Sequence, residues 1–224
     1  LIATNATSLG TTDGATTITD GAVLQISGGI NIGDAITASG SGVSSNGAIR
    51  STSGNNTLSG LITLAANTYI QSDDNTLTLD VSASNAITGS YNLYFEGAGN
   101  ITVSDPIAIG SGNIFKNDAG TLTLTGTNTF TGFTVVNGGI LSINQDRALG
   151  AVPGSTDADN IILNGSTLKT TASFTINTKR GIELRANSFI NVDSSTTLTY
   201  AGIIKRQNSE NNGYTKSGTG TLAL

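Results

Sequence analysis

The run Thr121-Leu122-Thr123-Leu124-Thr125 constrains the fold of this chain more than any other feature. It alternates hydroxyl and aliphatic side chains without a break. A strand has a side-chain period of two, so Leu122 and Leu124 point one way and the threonines the other. Ala119-Gly120 before it and Asn137-Gly138-Gly139 after it are turn sequences that bound short strands, and Gly139-Ile140-Leu141-Ser142-Ile143 begins another. The same grammar recurs along the chain. Alternating stretches fall at 16–19, 22–26, 30–32, 57–64, 76–81, 91–95, 100–103, 107–109 and 113–116. They continue at 161–163, 167–169, 173–176, 181–185, 189–192, 196–200 and 203–205, with 68–75 read as a turn. Strands and turns this short do not make a sandwich. They suit a parallel β-solenoid, at about 20–25 residues per rung and about ten rungs in all. Little or no helix is expected; 145–149, closed by Gly150, is the one candidate for a helical turn, and its counterpart 5–9 is weaker.

Internal likeness supports a repeat architecture. Residues 11–26 lie over 155–170, with Asp13 on Asp157, Ile18 on Ile162 and Leu24 on Leu168, and 1–10 lie over 141–150. Residues 120–124, GTLTL, return as GTLAL at 220–224. The expected organisation is one continuous solenoid over 1–224 with repeat-like copies 1–140 and 141–224. Both ends fall inside repeat units, so the chain reads as a piece of something longer. Its ends are expected to be covered by flanking repeats of the same polypeptide, or by end-to-end self-association with another copy.

Composition removes several function classes. There is no His, Cys, Met or Trp. The usual proton shuttle, zinc ligands and disulfides are therefore excluded. A formal net charge of −5, with 10 Lys and Arg against 15 Asp and Glu, argues against nucleic acid as a partner. The basic pairs Lys179-Arg180 and Lys205-Arg206 read as solvated loops. No stretch has the roughly 18 apolar residues of a membrane helix, so no membrane insertion by this segment is expected. The absence of cysteine fits an exported bacterial protein.

Residues 113–143 resemble the autotransporter-associated β-strand repeat, also called the passenger-associated transport repeat. Lys116 matches its opening lysine. Gly120, Leu122 and Leu124 match its strand, and Gly126, Asn128, Phe130 and Gly132 its turn. Val135, Gly139, Leu141 and Ile143 match its close. Asp118 stands where the family usually has Gly, and Phe133 where Gly or Thr is usual. A second copy begins near Tyr214, with Lys216, Gly220, Leu222 and Leu224 at matching positions, and residues 46–80 look like the repeat that often precedes it. The resemblance implies a right-handed parallel β-helix in a secreted or surface-displayed bacterial protein, extracellular or on the outer membrane. It implies a structural role, as a stalk, adhesin or secretion aid, and no catalytic residues. An alternative is a subunit of an extracellular fibre, sheath or matrix polymer; a third is a carbohydrate-binding or carbohydrate-processing β-helix. A ligand on a host or matrix surface is compatible with the first reading.

Candidate chemistry is sparse. Asp73-Asp74, Asp157/Asp159 and Asp193 are the acidic clusters; the first has turn composition, and neither catalysis nor a cation is expected there. Gly97-Ala98-Gly99 lacks the lysine and helix of a phosphate loop and reads as a turn. Alternating threonines follow from β-propensity. The aromatics, among them Tyr69, Tyr94, Phe115, Phe130 and Phe133, read mainly as core or corner packing, although Tyr91 and Tyr94 differ in parity and one should face outward. No cofactor, metal site or enzymatic activity is expected. The parity of 121–125 is directly testable. Burial of one leucine contributes on the order of 1.5–3 kcal/mol. Leu122→Asp should unfold the region locally and Thr123→Asp should be mild; equal shifts in thermal unfolding would show the parity to be wrong.

Overall fold

A computed structural model describes residues 1–82, 84–207 and 211–224. The chain winds as a parallel β-solenoid of about nine turns. The described strands fall into sheets of 14, 9 and 3 strands, called here the first, second and third. One rung shows the plan. Ile114–Lys116 lies on the first sheet and Thr121–Leu124 on the second. The chain then crosses a third side near Asn128 and returns to the first sheet at Thr134–Val136. Each strand pairs in parallel with the one a rung away.

The period-two pattern becomes columns of stacked side chains. Leu77, Ile101, Leu122, Leu141, Leu168 and Ile190 are in register on six successive rungs of the second sheet. Leu79, Val103, Leu124 and Ile143 form a second inward column. All ten are buried in one continuous core. Thr121 and Thr123 lie on the outer surface, half-buried between neighbouring rungs. On the third side Ile36, Ile62, Ile87 and Ile107 stack in the same way.

Most expected strands are found within a residue or two. One region differs. The stretch 57–64 is not one strand: Asn56–Leu58 ends on the second sheet, and Ile62–Ser72 runs from the third side onto the first. Residues 68–72, read as a turn, are extended, and Thr68, Ile70 and Ser72 point inward while Tyr69 and Gln71 point out. Two of those three inward groups are hydroxyls, so alternation in apolarity fails to mark the strand. The hydroxyl of Thr68 compensates by donating to the carbonyl of Ala38 at 3.0 Å or of Ala66 at 2.9 Å. Residues 145–149 contain the expected turn of helix, a 3-10 turn at Asp146–Leu149 closed by Gly150 at φ 86°. Residues 5–9 form only turns.

Corners are where rungs come closest. A Cβ on Gly139 would lie 2.3 Å from the carbonyl oxygen of Gly120, and its φ is +61°. Gly154 has open space around its Cα and an ordinary φ. Gly139→Ala should therefore cost about 2 kcal/mol or more, and Gly154→Ala almost nothing. Urea unfolding of the two variants checks this; similar midpoints would contradict close stacking at the corner.

Candidate functional site

The residues of the repeat-like stretch 114–143 divide by position in the rung. Gly120, Gly126 and Gly132 stand at its three corners. A Cβ there would lie 1.9 Å from the Gly99 oxygen, 2.5 Å from the Asp105 carbonyl carbon and 2.3 Å from the Gly112 oxygen. Each corner thus rests backbone on backbone against the preceding rung. Leu122, Leu124, Leu141 and Ile143 fill the core between corners.

Two polar residues do what strand pairing cannot. On the third side, between Ile107 and the turn at Asp146–Leu149, the side chain of Asn128 adds to sparse backbone bonds between rungs, such as that from the Thr129 amide to the Ile107 carbonyl at 3.0 Å. Its Oδ1 accepts from the Ile107 amide at 2.8 Å, and its Nδ2 donates to the Ala148 carbonyl at 2.6 Å. Its own amide donates to Arg147 at 3.0 Å. Asn128 therefore joins three rungs while 1% exposed. Beside it Phe130 is fully buried, and Gly150 leaves space for its ring: a Cβ on Gly150 would lie 2.9 Å from Cδ2.

Lys116 is the other. It occupies an inward column between Phe95 and Val136, yet its Nζ turns back to the corner. There it donates to the carbonyls of Asn117, of Asp118 at 2.9 Å and of Gly138 at 3.4 Å. Asp118 sits at φ 58°, a left-handed conformation that Gly adopts freely and Asp tolerates, and its carboxylate accepts from the Gly97 amide at 2.9 Å. That geometry explains how Asp is accommodated at a position where the resembling family has Gly.

The second copy is placed differently. Lys116 and Leu122 lie on the first and second sheets, but Lys216 pairs with Ile190 on the second and Leu222 with Leu198 on the third. Gly220 presses on Asp193 and Leu224 is exposed. The likeness of 11–26 to 155–170 shows the same offset: Leu24 lies on the first sheet and Leu168 on the second. Similar sequence in this chain recurs one face apart.

Sequence reasoning missed the burial of Arg180. Arg180, read as part of a solvated loop, is 0% exposed, whereas Lys179 is exposed. Arg180 Nε meets Asp146 at 3.0 Å, Nη1 donates to Leu149 and to Asn160 Oδ1, and Nη2 donates to the Gly150 carbonyl at 2.7 Å. The side chain thus ties down the end of the 3-10 turn beneath the longest rung crossing, 144–161. Burial pulls its pKa down, opposed by Asp146, and the guanidinium stays charged. With 1–10 lying over 141–150 and 11–26 over 155–170, residues 151–154 are an insertion in this crossing.

The outer surface carries the other candidate groups. Asp73 pairs with Arg50 at 2.7 Å and accepts from Gln71, which makes it a corner tie. Glu183 binds both Lys205 at 2.8 Å and Arg185 at 2.7 Å; those hydrogen bonds hold its pKa below the usual carboxylate range. Among the described residues no group of three or more His, Cys, Asp or Glu could hold a metal ion. Among the aromatics Phe130 packs in the core and Tyr94 faces outward, as expected, but Tyr94 is one of a group of outward rings. Tyr69, Tyr94 and Phe115 stack outward on consecutive rungs of the first sheet, centroids 4.1 and 4.6 Å apart, and Phe133 meets Phe115 edge-on at 5.9 Å. Their spacing in sequence, one rung each, was the available signal. Tyr91 is exposed outside the strand.

With this geometry in place, residues 114–143 match the family model of the passenger-associated-transport-repeat, so the chain carries that repeat. The chain is also 35% identical over 128 residues to the adhesin BmaC autotransporter of Brucella suis biovar 1 (strain 1330). The match covers 57% of this chain and 3% of that relative. No solved structure matches the chain.

Lys116 gives a testable pH dependence. Burial pushes its amine down to about 8 from the usual 10.5, with Asp118 and Glu96 acting in the opposite direction. The unfolded chain holds that proton more tightly. Between about pH 8 and 10.5 the unfolded state is therefore the more protonated, and native stability rises with pH on account of Lys116. At pH 7 Lys116→Met should lose about 1–3 kcal/mol, because three carbonyls lose their donor. Wild type should then gain on the variant as pH is raised through that window. A gap between their urea midpoints that stays constant would refute the assignment.

Proposed function

We propose that this segment is a non-enzymatic structural stretch of an exported bacterial surface protein, serving as part of a passenger-like stalk that aids secretion and displays adhesive regions. The observation that carries the reading is a coincidence of boundaries. The stretch matching the transport repeat, 114–143, spans all three corner glycines of a rung and the first strands of the next. Within it Leu122, Leu124, Asn128, Phe130, Leu141 and Ile143 face the core, and Gly120, Gly126, Gly132 and Gly139 rest on the neighbouring backbone. The adhesin relative supports surface display, and its much greater length supports a single solenoid that continues into flanking repeats of the same polypeptide.

Stacking suggests how such a segment would help export. A rung gains its pairing and burial only on a neighbour, so folding propagates rung by rung. A chain emerging from a membrane in extended form can then fold outside it, and each added rung opposes backsliding. The lack of cysteine means that no disulfide must form on the way.

Deleting 114–143 from the parent polypeptide, tagged ahead of the segment, should reduce protease-accessible tag on intact cells several-fold while total expression is maintained. Substituting Gly126 and Gly132 together by Val should act in the same direction. Undiminished display of both variants would overturn the secretion role.

A further inference from the structure

We propose that the outer face of the first sheet holds a binding site for a neutral sugar residue, at the step where the ring stack ends. The outward column reads Tyr69, Tyr94, Phe115, Val135, Ile162. Where the rings give way to Val135 and Ile162 the surface drops into a depression of about 300 Å³. Val135 and Ile162, each 3% exposed, form its recessed floor and lie outside the solenoid core. Phe115 and Phe133 line one side, Phe133 being 36% exposed. Asn137, Asp157, Asp159 and Arg185 complete the rim.

The chemistry of that rim selects the ligand. The site lies in mid-sheet, with strands paired on both sides, so no polypeptide can add to it as a strand. Its volume is at the lower end for a small-molecule pocket and suits one ring rather than a protein interface. Two carboxylates oppose an anion, while Arg185 and the nearby Lys205 oppose a cation. A neutral ligand with one apolar face and several hydroxyls satisfies both walls. A pyranose is such a molecule: its C–H face packs on Phe133 and the aliphatic floor, and its hydroxyls meet the rim. Among the described residues Asp157 accepts long contacts, from the Asp159 amide at 3.4 Å and from Asn160 at 3.2 Å, and keeps further acceptor capacity. Asp159 reaches Lys205 at 3.6 Å. Arg185 commits Nε to Glu183 and presents its remaining donors.

Saturation-transfer NMR on the whole 224-residue chain tests the site with the methyl β-glycosides of glucose, galactose, mannose and N-acetylglucosamine, and with glucuronic acid as the anionic comparison. At least one neutral glycoside should bind, and glucuronic acid should bind at least tenfold more weakly. Phe133→Ala and Asp159→Ala should each weaken the neutral ligand at least fivefold, with unchanged far-UV dichroism. Phe189→Ala, an exposed ring on the second sheet, should leave binding unchanged. Binding of none of the neutral glycosides, preference for the acid, or equal effects of Phe133→Ala and Phe189→Ala would overturn the proposal.

Discussion

Parallel pairing between rungs holds successive backbones about 4.8 Å apart, and the rest of the structure depends on that spacing. Along a flat face the spacing is filled by hydrogen bonds and stacked side chains. At a corner the chain must turn while still touching the rung beneath, and no room remains for a Cβ. Gly120 over Gly99, Gly126 over Asp105 and Gly132 over Gly112 are the outcome. These three glycines are thus explained by contact between rungs and not by turn conformation, whereas Gly139, at φ +61°, is explained by both. Gly120, Gly126 and Gly132 all have ordinary φ.

The polar residues inside follow from the same constraint. Where a side of the rung lacks a strand, carbonyls and amides at the spacing of the stack still need partners. Asn128 supplies a donor and an acceptor at once and stands in for a peptide unit. Lys116 gathers carbonyls from two rungs at one corner. Arg180 gathers the adjacent carbonyls of Leu149 and Gly150 beneath the widest crossing, and Tyr200 donates from its hydroxyl to the carbonyl of Arg180 at 2.7 Å or of Ile203 at 2.8 Å. These residues allow rungs of unequal length in one stack. Amides extend the principle outward: Asn67, Asn92 and Asn113 each accept, through the side-chain oxygen, from the backbone amide one rung on.

An architecture whose interior is occupied by stacking leaves its outer faces to recognition. The second sheet shows mostly hydroxyls there, as Thr78, Thr102 and Thr123 in register illustrate. The first sheet carries rings, then an apolar step, then the Glu183, Lys205 and Arg185 cluster. A rigid stack fixes the distances between such groups, so a binding site can be built without loops.

The sequence by itself determined the buried side of the strands that alternate in apolarity and many of the places where the chain turns. Thr121–Leu124 needed only the period of a strand to orient Leu122 and Leu124, and glycines marked the corners. It also settled which side chains are absent from any chemistry, since His and Cys do not occur. Tertiary structure decided which face each strand occupies. A period of two is the same on all three sides, so 120–124 and 220–224 look alike yet lie on the second and third sheets. Only the count of residues around each turn, altered by crossings such as 144–161, fixes that choice. For the same reason the buried place of Arg180 and the outward stack of Tyr69, Tyr94 and Phe115 could not be read locally. Each depends on what the neighbouring rung brings alongside.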